Sequence, residues 1–226
     1  MVATRSRAEA TPRASAGLAS LRASSGRTKI VLLAIGAVLL LLLGYGVGRL
    51  QPSLSRPGDD SADAGFARDM STHHAQAVEM GMVAYRNATL PEVRTLGGDI
   101  AITQQGQIGM MQTWLKDWGV GPNGTEPPMA WMPDGQRGLN GNLMPGMATR
   151  EEVAKLKAAT GKDADILFLQ YMIRHHLGGI HMVDGVLAEN PAPQVRELAQ
   201  TMKNNQSTEV NVMKTVLSNL GAQPLS

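Results

Sequence analysis

The sequence predicts an all-α protein, a four-helix bundle made from a duplicated helical hairpin and preceded by one transmembrane helix. Three observations carry this. Adding 102 to the numbers of one segment gives another, so that Phe66, Met70, His73, His74 and Met80 fall on Phe168, Met172, His175, His176 and Met182. The same ungapped offset carries Pro91, Val93, Arg94, Leu96, Gln104, Met111, Leu115 and Gly119 onto Pro193, Val195, Arg196, Leu198, Gln206, Met213, Leu217 and Gly221. Two unrelated amphipathic helices would not keep one register through a turn and a second helix, so the repeat is a doubled hairpin. Third, an uncharged run, IVLLAIGAVLLLLLGYGVG, stands between Lys29 and Arg49.

The N-terminal elements follow from charge and length. Residues 1–29 hold Arg5, Arg7, Arg13, Arg22, Arg27 and Lys29 against Glu9 alone, and with little to bury they read as an unstructured basic tail. Residues 30–49, at ~1.5 Å per helical residue, reach about the thickness of a bilayer's hydrocarbon core. The basic flank keeps the tail in the cytoplasm and sends everything after Arg49 outside. The expectation is a single-pass protein of the cell membrane with an extracytoplasmic C-terminal domain. A cleaved signal peptide is the competing reading; the basic region is long for one, and Gly44-Tyr45-Gly46-Val47-Gly48 offers no A-x-A site.

Residues 50–64, which contain Pro52, Pro57 and Gly58, read as a spacer. The duplicated domain occupies residues 65–226, as hairpins 66–119 and 168–221 joined by a Met-rich connection, 120–167. In the first hairpin Phe66, Met70, His73, Ala77, Met80 and Ala84 recur at spacings of four and three, one helical face with His73 at its middle. Asn87-Ala88-Thr89-Leu90-Pro91 turns the chain, with the Pro suited to a first helical turn. The second helix would turn Val93, Leu96, Ile100, Thr103, Gln107, Met110, Trp114 and Trp118 inward, and stop at Gly119. If the turn is centred between residues 88 and 89, Met70 lies near Gln107 and His73 near Gln104, and in the second copy Met172 near Glu209 and His175 near Gln206. Thr149-Arg150-Glu151-Glu152 signals a capped short helix before the second hairpin. Four amphipathic helices bury their stripes most simply as a bundle.

Composition narrows the function. The chain is basic, with pI near 9.0, but 14 of the 21 Lys and Arg and 18 of the 19 Asp and Glu lie beyond residue 50. The folded part is therefore mildly acidic and no nucleic-acid partner is expected. Cys 0 removes disulfides and thiolate metal sites. Of the 14 Met, all but the initiator lie after residue 65, as do all 5 His.

On a helix His73 and His74 point ~100° apart, while Met70 lies one turn back from both, and Met172 stands likewise to His175 and His176. Imidazole nitrogen with thioether sulfur is a soft, neutral donor set that favours Cu(I), and by chemical similarity Ag(I), over Mg, Ca or Mn. Imidazoles also take Cu(II) and Zn, so the thioethers tilt the choice. The candidate metal ligands are Met70, His73, His74, Met172, His175, His176 and His181, with Met144 and Met147 from the connection. Against this stands the plainer reading that Met at helical spacing fills core and that a His on an apolar face is a hydrogen-bonded core residue. Asp69 would orient His73 by accepting a bond one turn away.

At these residues the chain resembles a known family. The patterns F-x-x-D-M-x-x-H-H-x-x-A-V-x-M (Phe66 to Met80) and F-L-x-x-M-I-x-H-H-x-x-G-I-x-M (Phe168 to Met182), with Met144-Pro145-Gly146-Met147 between them, are similar to those of the bacterial family domain of unknown function 305. The resemblance covers about residues 64 to 221. It implies a ferritin-like, periplasmic four-helix domain of the CopM type, with copper or silver binding and a role in metal resistance. The matching Met and His positions carry over as candidate ligands.

The leading expectation is thus a membrane-anchored copper-binding protein, a sink or donor whose partners are the membrane, metal ions, and a second copy or a copper-donating or copper-accepting protein. A di-metal oxidoreductase on the same fold is the alternative. It is weakened because ferritin-like iron sites use Glu on two helices and Glu-x-x-His on the others, whereas Glu209 is the carboxylate at the histidine level here. A metal-free helical interaction module is the third. No Ser-His-Asp set, P-loop or carboxylate pair suggests another enzyme, so none is expected.

Overall fold

A computed structural model of the chain describes residues 26–54, 56–132 and 143–225. Residues 1–56 and 57–226 form two compact units. The first holds α1 (Gly26–Leu54), and within it Thr28–Gly48 is long and apolar enough to cross a membrane. The basic tail expected over residues 1–29 lies, for residues 1–25, outside the described residues. The helix runs past Arg49 to Leu54, further than the spacer reading allowed, because a formed helix extends at low cost per residue.

Among the described residues of the second unit the regular elements are all helices, besides one isolated parallel bridge, Ala88 with Gly161. Its elements are α2 (Ala62–Asn87), α3 (Pro91–Trp118), α4 (Arg150–Ala158), α5 (Gly161–Ala188) and α6 (Pro193–Asn219). Ser61 caps α2 through Ala64 N–H, Thr149 and Glu152 form the reciprocal capping box on α4, and Gly119 ends α3 in the left-handed region at φ 77°. Helix α2 packs against α3 and α5 against α6, and the hairpins meet along α2 and α5.

The equivalence of the two copies is built into their caps. Asp165 on α5 accepts from Thr89 N–H at 2.9 Å, Leu90 N–H at 3.3 Å and Thr89 Oγ1–H at 2.7 Å, holding the entrance of α3. Its counterpart Asp63 on α2 accepts from Ala192 N–H at 2.9 Å at the entrance of α6. Each hairpin's first helix thus supplies the anion that the other's second helix leaves its orphan N–H groups to find.

Two hydrophobic clusters lie on either side of the histidine level. One gathers Ala77, Met80, Val83, Ala84, Val93 and Ile100 from the first hairpin with Phe168, Leu169, Met172, Val210, Met213 and Leu217 from the second. The other gathers Phe66, Met70, Met111 and Leu115 with Met182, Val183, Val195, Leu198 and Met202. The offset of 102 carries members of either cluster onto the other, which is what antiparallel α2 and α5 related by a pseudo-twofold through the histidine level require.

The inward face of α3 differs from the one predicted. Val93, Gly97, Ile100, Ala101, Gln104, Gln107, Ile108, Met111 and Leu115 are buried, whereas Met110 is 47% exposed and Thr103 faces solvent. The cause is a close approach of backbones: a Cβ on Gly81 would stand 2.5 Å from Gly97 O, and one on Gly97 2.7 Å from Gly81 O. Glycine at both positions lets α3 seat Gly97 against α2, which rotates the helix away from a face chosen by hydrophobicity alone.

Candidate metal centre

The expected pairs within each hairpin are Met70 with Gln107 and Met172 with Glu209. The structure instead pairs His74 Nε2 with Gln107 Oε1 at 2.8 Å and His176 Nε2 with Glu209 Oε2 at 2.7 Å. The register is displaced by one helical turn. Residues Ala88 and Leu90 are extended and Asp165 holds Thr89 and Leu90, so the hairpin turns later than its Asn-Ala-Thr sequence suggests. The consequence is that His74 and His176, which point ~100° away from His73 and His175 on their helices, are buried along with them.

The rings of His73 and His175 lie across the α2–α5 interface with centroids 3.8 Å apart and planes tilted by 35°. His74 and His176 flank them at 6.5 Å and 6.3 Å from their neighbours in sequence. His175 Nε2–H donates to His73 O at 3.1 Å, and His73 Nε2–H donates to Pro145 O at 3.0 Å. A carbonyl only accepts, so both rings carry their proton on Nε2, and the carboxylate of Glu209 dictates the same for His176. With Gln107 in Glu209's place, His74 follows.

The Nδ1 atoms of all four rings are buried and have no hydrogen-bond partner in the chain; nor do the Oε1 atoms of Gln104 and Gln206. These are three pairs related by the offset of 102. A buried acceptor left unsatisfied costs about 1–3 kcal/mol, so groups of this kind call for a partner. A plain core would not concentrate such groups. Burial holds three of the rings neutral: His73 is pushed down to about 4 by desolvation, offset by its bond to Pro145 O, and His74 to about 3 by desolvation and the neighbouring His73. His175 lies well below its ordinary value for the same reasons. The Nδ1 lone pairs of these three rings are therefore free at neutral pH.

The connection treats the two copies differently. Gln76 grips Ala148 through both backbone atoms, N–H to Oε1 at 2.7 Å and Nε2–H to O at 2.9 Å. At the counterpart of Gln76 stands Gly178, where a Cβ would meet Pro145 O at 2.0 Å. That glycine admits the Met144-Pro145-Gly146-Met147 turn onto α5 and brings Pro145 O to His73. Gly146, at φ 75°, is itself seated on Arg174 O.

The predicted ligands are not all in one place. Met70 belongs to one cluster with Met144, and Met147 packs against it, while Met172 belongs to the other. His181 is half-buried, with an unpartnered Nε2. Among the described residues no three His, Asp or Glu side chains form a group that could hold a metal ion. Asp69 does not orient His73. Its Oδ2 accepts from Met129 N–H at 2.7 Å and Trp131 Nε1–H at 2.8 Å, because the connection returns over α2 there. The role of Gln107 and of Met129 and Met132 at the loop's anchor was not assigned from the sequence; the equivalence of Gln107 with Glu209 was the available signal.

The family described as Domain of unknown function (DUF305) matches residues 63–217. A Streptomyces coelicolor protein of that family, inferred to be secreted, is 43% identical, with TM-score 0.69, covering 75% of this chain and 99% of its own. A Deinococcus radiodurans fragment of the family is 30% identical, with TM-score 0.57, covering 70% and 96%. CopM in its Cu(II)-bound form is 26% identical, with TM-score 0.55, covering 70% and 97%. Among curated proteins none matches.

Proposed function

This chain belongs to the DUF305 family, and on that premise we propose that it is a membrane-anchored, extracytoplasmic copper-binding protein that takes Cu(I), and Ag(I) by chemical similarity, for copper handling or resistance. One observation carries the reading: four buried imidazoles present unpartnered Nδ1 atoms while each Nε2–H is tied to a protein acceptor. Metal-bound histidine takes this form, with the outer N–H fixed by a carbonyl or carboxylate and the other nitrogen bare. CopM, a relative of the same fold, is known in Cu(II)-bound and Cu(I)-bound forms. The N-terminal span Thr28–Gly48 and the secreted character of the Streptomyces relative support the anchor and the compartment.

The layer serves two ions rather than one. A metal–nitrogen bond of ~2.0 Å on each side needs ring centroids roughly 6 Å apart for linear two-coordination, and the His73 and His175 rings stand at 3.8 Å. Each therefore works within its own hairpin, with Met70 one turn back from His73 and Met172 one turn back from His175. The two thioethers lie in opposite clusters, which fits two half-sites related by the pseudo-twofold. Copper is cargo in this reading, and the protein's contribution is a dry, neutral, preformed donor set.

Competition titration of the detergent-purified chain tests it. Replacing Met70 and Met172 by Leu keeps volume at a cost below ~1.5 kcal/mol and should weaken Cu(I) selectively. Replacing His73 and His175 by Gln should weaken Cu(I) and Cu(II) alike. Parent-like copper affinity in the His double variant would overturn the assignment.

A further inference from the structure

We infer a binding site of a different kind, for a primary ammonium group on an apolar stem, in the cleft where the connection folds back over the N-terminal half of α2 and the buried carboxylate of Asp69 lies beside the indole of Trp131. It shares no residue with the histidine layer. The cleft has a volume of about 490 Å³ and is lined also by Asp60 and Glu126, and its size is that of a small-molecule site. Arg68 builds the frame, donating from Nε to Gly121 O at 2.9 Å, from Nη1 to Asp59 O at 2.9 Å and from Nη2 to Asp59 Oδ1. Asp59 Oδ2 in turn accepts from Thr125 Oγ1–H at 3.0 Å. Those two charges cancel. Asp60, Asp69 and Glu126 have no ion-pair partner among the described residues, so the cleft is anionic. Nor is the start of α2 open to an anion, since the Ser61 hydroxyl already caps it through Ala64 N–H.

Asp69 carries the argument. It is 8% exposed, and both bonds it accepts, from Met129 N–H and Trp131 Nε1–H, end on Oδ2, so Oδ1 keeps its lone pairs. Pinning the connection needs no charge, because the amide oxygen of an Asn would accept the same two bonds. A buried carboxylate is costly without a cation beside it, and desolvation raises its pKa, offset by Met129, Trp131 and Arg68. An alkylammonium supplies that cation with three N–H donors for carboxylate oxygens, while the indole takes its stem and its charge. Trp131 is fixed for this: it stands edge-on to Phe66 at 5.7 Å and is seated on Gly65, where a Cβ would lie 2.4 Å from its Cδ1. The carboxylates do not converge as metal ligands would. The duplication supplies a control, since the offset of 102 puts Lys162 at Asp60, Leu167 at Gly65 and Tyr171 at Asp69. The second hairpin folds without this acidic, small-residue set, so the set is not a requirement of the helix pair.

Titration of the full-length chain in detergent with butylamine at neutral pH and constant ionic strength, followed through the isotope-labelled indole N–H resonances, tests this. The Trp131 resonance should shift saturably while those of Trp114 and Trp118 stay put. Tetramethylammonium, which has no N–H to donate, should leave Trp131 unmoved. Asp69→Asn keeps both bonds to the connection and should weaken butylamine by about tenfold or more with copper affinity unchanged. Absence of a saturable Trp131 shift in the parent would overturn the site, as would an equal response to tetramethylammonium or parent-like butylamine affinity in the Asn variant. If that variant fails to fold, the two titrations of the parent decide alone. Copper binding enters none of these outcomes, so the proposed function stands or falls separately.

Discussion

Lowering the pH from 7 to 5 should cost the helical bundle several kcal/mol of stability. His73 and His74 have folded values of about 4 and about 3, and His175 lies well below its ordinary value, while in the unfolded chain each titrates near 6.5. Between those limits the unfolded state binds protons that the folded state cannot, so stability falls as pH falls through 6.5, and the loss is complete only below the folded values. At ~1.4 kcal/mol per unit, His73 and His74 each cost about 2 kcal/mol at pH 5, roughly 4 kcal/mol together, against a typical 5–15 kcal/mol, and His175 acts in the same direction. Asp63 and Asp69, raised by desolvation, act in the opposite sense toward lower pH and soften the slope. The assay is urea unfolding at each pH followed by tryptophan emission, since Trp114, Trp118 and Trp131 all lie beyond the membrane span. A midpoint that is flat from pH 7 to 5 would refute the claim that these imidazoles are buried neutral. The His73→Gln, His74→Gln variant should lose roughly 4 kcal/mol of this pH dependence.

Further outcomes follow from the same geometry. Gly178→Ala forces the Pro145 carbonyl off α5, breaking the His73–Pro145 bond; despite the helix preference of Ala, it should destabilise by ~1–3 kcal/mol and shift the His73 ring resonances, whereas a neutral melt with unmoved resonances would contradict it. Asp165→Ala removes the acceptor for three donors and should cost about 2–4 kcal/mol, against ~1 kcal/mol for Asp63→Ala, which strands one; equal costs measured by urea unfolding would count against the caps as drawn. A reporter fused after Ser226 should be active outside the cytoplasm, and activity confined to the cytoplasm would reverse the proposed topology.

The sequence by itself determined the elements that depend on local pattern. The period of Phe66, Met70, His73, Ala77, Met80 and Ala84 defines the buried face of α2, Pro91 and Gly119 bound α3, Thr149 with Glu152 starts α4, and the offset of 102 makes the second hairpin a copy of the first. It also singled out the four paired histidines as residues that a plain core would not repeat. What only the tertiary structure decided was register and neighbourhood. Gly81 and Gly97 fix how closely and at what rotation α3 meets α2, and Asp165, 76 residues from Thr89, fixes where the hairpin turns, so His74 meets Gln107. Gly178 in place of Gln76 decides that Pro145 reaches His73 and that the connection's methionines gather over α5. Helical periodicity is a property of neighbours in sequence and is legible there. Close approach of backbones, and the partner that a buried N–H finds, are settled by residues distant in the chain, whose meeting no local pattern encodes.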